Sequence, residues 1–347
     1  MSTPHHRSSI PAGLAATRLA NGDAFLATRG LDRAGLSALL RAKTGDALHI
    51  LLTSSPVHGL ANPTSDLDFI RVQAEELTGP RMATQLFEGG QHLEAISFGE
   101  IETERALADL ARLAADEPTG IVAGHRRWDK CHDLRRKYLE RLVNGVNLDG
   151  TSPYLGHLPA LARVWKWCSL HTAAEQVYFL RLAEAAGERR GRVGYALGAL
   201  LHLMDAALSH RGHVYSNRKW YLLRWTRFLA SDEAGGPLVE EVERVRQRVE
   251  VVLGGADTDL GPVFCELIDL MFDIVGEGRP AAVTAESDES ARHVFLPGAQ
   301  LMLANTAVFV GAGRLPEGRI DLTAPLDGAP GDILRAARAG ALRLLPT

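Results

Sequence analysis

The sequence predicts an α+β domain, a mixed sheet flanked by helices, followed by an all-α helical bundle and a small α+β tail. Three observations predict it. Short apolar runs with strand-like character stand at 49–53, 67–72 and 91–98, separated by polar stretches that carry Gly and Pro. From 160 to about 278 the pattern is almost wholly helical, in Ala- and Leu-rich segments broken at Gly187, Gly212, Gly235-Gly236 and Gly254-Gly255. After 291 the pattern changes again, to strand-like residues from Val294 to Val310 and a helical stretch from Gly331 to Leu345.

A chain of 347 residues is long enough for two or three domains. Its 42 acids against 38 bases leave no overall basic field, which favours a small substrate over a polynucleotide. Cys131, Cys168 and Cys265 are scattered and lack CxxC spacing, so neither a disulfide framework nor a zinc knuckle is indicated and a reducing cytoplasm is expected. The first residues lack the apolar core of a signal peptide, and no apolar run approaches the length of a membrane span. The Ala- and Arg-rich usage points to a high-GC bacterial source.

Taken in order, residues 1–30 read as an N-terminal arm, a hairpin or irregular piece around Ala20-Asn21-Gly22-Asp23. The core spans 31–146. Asp32 to Lys43 is an amphipathic helix with Leu36, Leu39 and Leu40 on one face. His49 to Thr53 is a buried strand, and Ser54 and Ser55 follow it, where hydroxyls and backbone N–H groups face a polyanion such as a triphosphate. Gly59, Asn62 and Pro63 supply turn chemistry. On the next strand, Leu67 to Val72, period-2 alternation puts Asp66 and Asp68 on one face and Leu67 and Phe69 on the other. Two like charges so close repel, and a hard divalent cation such as Mg²⁺, its shell completed by substrate phosphates, removes the repulsion. A polar loop leads to the strand at Gln91 to Phe98, which carries Glu94, and Glu102 to Asp116 is a helix with Leu107, Leu110 and Leu113 on one face. Trp128 to Val146 reads as a single amphipathic helix whose basic residues, Lys130, Arg135, Arg136, Lys137 and Arg141, form a solvated face or lie over a triphosphate. Residues 147–159, with Gly150, Pro153, Gly156 and Pro159, read as a domain linker, 160–280 as the bundle and 290–347 as the tail. Phe309 to Gly313, FVGAG, lacks the third glycine and the following helix of a dinucleotide fold. His202, His210 and His213 with Asp205 lack metal-ligand spacing.

The stretch from Ser54 to Asp68, S-S-x-x-x-G-x-A-x-P-x-S-D-x-D, resembles the signature of the DNA polymerase β-type nucleotidyltransferase superfamily, in particular its small-molecule and antibiotic nucleotidyltransferases. The resemblance implies Ser55 at the motif serine, Gly59 at the second glycine, Ser65 before the acids, and Asp66 and Asp68 as metal ligands. It also implies a third carboxylate on the next strand, for which Glu94 is the candidate and Glu100 the reserve. Ser54 departs from the pattern, which has glycine there. Behind the core, such antibiotic nucleotidyltransferases carry a helical domain that closes the acceptor pocket. Ala206 to Leu223 is similar to a segment of it, which makes Arg218 and Lys219 candidate phosphate contacts.

The expected activity is Mg²⁺-dependent transfer of a nucleoside monophosphate, AMP from ATP by preference, to a hydroxyl of a small molecule, with Glu94 or Asp205 taking the acceptor's proton. Two alternatives stand beside it. One is a catalytically reduced protein of the same fold that binds a nucleotide or a partner, and the other a nucleotidyltransferase acting on a protein or a carrier-bound metabolite.

Overall fold

The structure, a computed structural model, describes residues 10–79, 81–231, 234–254 and shorter pieces between 263 and 346. These fall into two compact units, one of the described residues up to Trp165 together with Leu208–Arg224, the other of Lys166–Ala207 together with the described residues from Trp225 onward.

The first unit opens on a helix, α1 (Leu14–Ala27), where the sequence suggested a hairpin or irregular arm. Packing overrides the Asn21-Gly22 turn signal. A Cβ on Gly22 would stand 3.2 Å from a Leu52 methyl, so the glycine lets α1 lie close on the first strand. Phe25 and Leu26 then join Leu36, Leu40, Ile50, Leu52, Leu67, Phe69 and Leu93 in one buried core. Helix α2 (Arg33–Thr44) starts at Asp32, whose carboxylate accepts from Gly35 N at 2.7 Å.

Five strands follow, β1 (His49–Leu52), β2 (Leu67–Gln73), β3 (Thr84–Glu88), β4 (Gln91–Gly99) and β5 (Val146–Asn147), in the sheet order β3-β4-β2-β1-β5. β1 and β2 are antiparallel with Leu52 opposite Phe69, whereas β2 and β4 are parallel with Asp68 opposite Glu94. β3, which lies in the stretch read as a polar loop, is the exposed edge and pairs antiparallel with β4. Leu67, Phe69, Leu93 and Ala95 point into the core with α1 and α2. On the opposite face Ile70, Val72, Ile96 and Phe98 are buried too.

Helices α3 (Glu100–Ala114), α4 (Pro118–Cys131) and α5 (Arg136–Asn144) complete this part. α5 lies on the acid-bearing face, with Tyr138 against Phe98 at 5.6 Å between ring centroids. The single helix expected from Trp128 to Val146 is broken, because His132 is extended and the Asp129 carboxylate accepts from Arg136 N at 2.8 Å, starting a new helix. Residues 147–159 are likewise not a free linker at their start. Asn147 belongs to β5 and its side-chain oxygen accepts from Ile50 N at 2.9 Å.

Helices α6 (Leu158–Ala185) and α7 (Arg189–His210) each begin or end in the first unit and run mainly in the second, which adds most of α8 (Tyr221–Leu229) and α9 (Pro237–Leu253). Trp225 Nε1 donates to Glu243 at 2.5 Å, tying α8 to α9. Further on lie two three-stranded sheets. One joins β10 (Gly318–Asp321), β6 (Ala282–Ser287) and β11 (Leu342–Pro346), the other β7 (Arg292–Leu296), β8 (Ala299–Ala304) and β9 (Ala307–Val310). The closing helix, α10 (Pro330–Arg338), is shorter than Gly331 to Leu345, because the last residues form β11. The glycines of FVGAG lie outside the described residues. No helix among the described residues is long and apolar enough to cross a membrane.

Candidate functional site

Strand direction gathers the predicted residues at one end of the sheet. β1 ends where β2 begins, and β4 starts beside β2 because the two are parallel. The turn after β1, the two aspartates and Glu94 therefore share an edge.

Register-paired residues of adjacent strands point to the same face. Asp68 and Glu94 are such a pair, and Asp66, two residues before Asp68, and His92, two before Glu94, lie on the same side. His92 in turn pairs with Phe87, and Glu94 with Gln85, so β3 adds both to this face.

Ser54 is the one described non-glycine residue at positive φ, 64°, which is the left-handed region. Ser54 thus keeps a backbone conformation that glycine adopts most readily. Ser54 and Ser55 are both buried, and Ser54 Oγ has no hydrogen-bond partner among the described residues. Thr53 binds the turn to the acids, its N–H and its hydroxyl each donating to the Asp68 carbonyl at 3.0 Å. The turn closes through Leu60 N to the Ser55 carbonyl at 2.9 Å. Asn21 of α1 props it by donating to the Val57 carbonyl at 3.3 Å, and Gly59 (φ 64°) is required because a Cβ there would stand 3.0 Å from the Asn21 side chain.

Each carboxylate is engaged separately. Asp66 Oδ1 is 3.1 Å from His92 Nδ1, Asp68 Oδ2 is 3.5 Å from Arg141 Nη2, and Glu94 Oε2 accepts from Gln85 Nε2 at 2.8 Å. Among the described residues no three His, Cys, Asp or Glu side chains are grouped to hold a metal ion. In type and backbone placement the three carboxylates nevertheless fit a hard divalent cation, which would take the place of Arg141 and His92 at Asp68 and Asp66. Ser65 is half-buried, and its hydroxyl closes the Asn62 turn at 3.0 Å. Glu100 begins α3 and is off the strand face.

Of the basic residues on the former 128–146 stretch, Arg141 is the one that meets the acids, while Arg136 pairs with Asp129 at 2.9 Å and Lys137 lies over Tyr138. α5 also carries Glu140 and Asn144, which the sequence did not single out. Glu140 is buried, accepting from Ser216 Oγ at 2.7 Å and Ser216 N at 3.2 Å, and Asn144 Nδ2 donates to the Val214 carbonyl at 3.0 Å. Burial pushes the Glu140 carboxyl above its ordinary range, with the Ser216 bonds opposing. Arg224 donates to the His213 carbonyl at 2.7 Å and to the Tyr215 carbonyl, and the Tyr215 ring stacks on His58 at 4.3 Å. The 213–217 segment is thus fastened over the turn. Arg18 is buried beside it, donating to Asn144 Oδ1, and burial lowers its guanidinium to about 10 while Glu140 opposes the fall. Arg218 and Lys219 follow in an exposed 3-10 turn capped by Asn217. Asp205 is buried in the second unit, where it accepts from Ser169 Oγ at 2.7 Å.

The His92 signal was present in the sequence, since a residue two before Glu94 shares its face; Phe87 and Gln85 were hidden with β3.

Among solved structures, the nucleotidyltransferase-like protein from Exiguobacterium sibiricum 255-15 is similar at 12% identity and a TM-score of 0.33, over 67% of this chain and 74% of that one, a likeness too distant to bear on chemistry. No curated protein matches. Residues 10–347 match the profile of DUF6001, described as a family of unknown function, and the chain belongs to that family.

Proposed function

We propose that the chain transfers a nucleoside monophosphate, most simply AMP from ATP, to a hydroxyl of a small molecule. The observation that carries this reading is the convergence of Asp66, Asp68 and Glu94 with the Ser54–Ser55 turn, left-handed at Ser54, at one end of one sheet. Asp66, Asp68 and Glu94 are the groups to hold Mg²⁺, which when bound supplies charge neutralisation at the triphosphate. The Ser54–Ser55 turn and Ser65 line the phosphate side, and Arg218 and Lys219 add positive charge from their exposed turn. The acceptor oxygen forms a bond to the α-phosphorus, the bond to the pyrophosphate oxygen breaks, and the acceptor's proton passes to a Glu94 oxygen. The protein's part is chiefly placement and charge.

A second reading, nucleotide binding without transfer, is favoured by one feature, the separate engagement of the three carboxylates. Both are tested by transfer of label from α-³²P nucleotides with Mg²⁺ to hydroxylated small molecules and to lysate protein, with Asp66→Asn/Asp68→Asn as control. Label on a small molecule that vanishes in the double variant supports the first reading, and label on protein moves the acceptor. Triphosphate binding by calorimetry without any transfer supports the second.

A further inference from the structure

Phe87 is 77% exposed on an edge strand, where natural sheets favour charge over large apolar groups. Its ring has one covered face. It stacks on His92 at 4.8 Å between centroids and 16° between planes. The His92 ring is held by Asp66 at 3.1 Å through Nδ1 and by the Gln85 amide oxygen through Nε2, and the Gln85 amide nitrogen donates to Glu94 at 2.8 Å. The same residues that carry the proposed chemistry therefore set the plane of this stacked pair.

Position across the sheet says which substrate meets it. Along one edge stand the Ser54–Ser55 turn at β1, the aspartates at β2, Glu94 at β4 and Phe87 at β3. Phosphates at the β1 side place the nucleotide away from β3. The acceptor, whose hydroxyl must reach Glu94, then comes from the β4–β3 side, and Phe87, opposite His92, is the diagonal neighbour of Glu94, one strand across and two residues along, at roughly 7–8 Å. An aromatic face beside a hydrogen-bonding group is the means by which proteins hold a planar ring in offset or edge contact.

We infer that Phe87, backed by His92, is the platform on which the acceptor stacks, and that the acceptor carries an aromatic or other planar ring about 7–8 Å from the hydroxyl that is modified. This rests on the nucleotidyl-transfer reading for the identity of the ligand, but the ring site itself is testable without nucleotide or metal. Asp66 and Glu94, on the same face as the platform, favour a neutral or cationic ring.

The probes are phenyl β-D-glucopyranoside and methyl β-D-glucopyranoside, which share hydroxyls and differ in the ring. Their binding to the full chain is followed by saturation-transfer NMR. The phenyl compound is expected to bind roughly ten times more tightly, the factor a stacked ring adds. Phe87→Ala is expected to erase the preference and Phe87→Tyr to keep it. Because Phe87 is exposed, the alanine variant leaves the core intact. Asp68→Asn, which leaves the Asp66 and Gln85 contacts to His92 in place, is expected to keep the ring preference while losing any label transfer, so failure of the transfer chemistry is separable from failure of the platform. Equal binding of the two glucosides, or a preference that survives Phe87→Ala, overturns the inference.

Discussion

At the scale of single residues, the strain at Ser54 is the clearest departure from a relaxed chain. A side chain in the left-handed region costs about 1–2 kcal/mol, and a buried hydroxyl without a partner adds about 1–3 kcal/mol. Glycine removes both and returns about 0.5–1 kcal/mol of backbone entropy to the unfolded state. Ser54→Gly is therefore expected to stabilise the chain by about 1 kcal/mol or more, read as a higher urea midpoint at unchanged slope. If the hydroxyl also crowds phosphates, the same variant binds triphosphate more tightly, which calorimetry reads. A second residue-level effect is pH. Burial first, then Arg136, lowers His125 from 6.5 to about 3, and its ring meets Trp165 edge-on at 5.0 Å. In the folded chain the imidazole stays neutral, whereas the unfolded chain takes up a proton below about pH 6.5. Stability from this group is thus fully present above pH 6.5 and is lost as pH falls toward 3, at up to ~1.4 kcal/mol per pH unit. His125→Phe, which keeps an aromatic ring against Trp165, is expected to flatten the slope of unfolding free energy between pH 6 and pH 4 by about that amount. An unchanged slope would place the proton elsewhere.

Helix α5 is the element on which the site depends, because one short helix presents Glu140, Arg141 and Asn144 to three different partners. Arg141 and a divalent cation compete for the same Asp68 oxygens, and a charged contact to phosphate is worth about 1.5–3 kcal/mol. Arg141→Gln is therefore expected to act with opposite signs on two ligands. Mn²⁺ affinity, followed by electron paramagnetic resonance, rises several-fold, while triphosphate affinity falls roughly tenfold. Two losses together would mean that Arg141 merely supports the fold. The same helix illustrates what was legible beforehand. The acid-bearing strand, its antiparallel partner and Glu94 follow from period-2 alternation and short apolar runs, and β1, β2 and β4 lie where those patterns put them. α1 was illegible because Asn21-Gly22 is a local turn signal that packing against Leu52 overrides. β3 was illegible because an edge strand with both faces largely exposed has no burial pattern to read. The roles of Glu140 and Asn144 depend on a segment some seventy residues later in the chain, which no local pattern encodes.

Over the whole molecule, the compact units are not consecutive pieces of sequence. A boundary at 147–159 would cut the chain before the first unit is finished, because that unit runs to Trp165 and takes back Leu208–Arg224. The returning segment is integral. Val214 and Tyr215 are buried, Ser216 caps the Glu140 carboxylate, and Tyr215 covers His58, whose imidazole burial holds well below its ordinary value, with Arg18 and Arg224 adding to the effect. Without that segment, Val214, Tyr215 and Tyr221 withdraw their apolar surface, each large side chain contributing about 1.5–3 kcal/mol when buried. Glu140 and Asn144 lose their main-chain partners at the same time, at a further ~1 kcal/mol per hydrogen bond. The sum is comparable to the whole stability of an ordinary domain, about 5–15 kcal/mol. A fragment ending at residue 165 is accordingly expected to lack a cooperative thermal transition by circular dichroism. Adding a synthetic peptide covering residues 208–224 is expected to restore part of it, in proportion to peptide concentration, as linked binding and folding require. A fragment that melts sharply on its own and ignores the peptide would mean that the sheet, α1 to α5 and the acid site stand without the returning segment, and that its bonds to α5 follow folding instead of sustaining it.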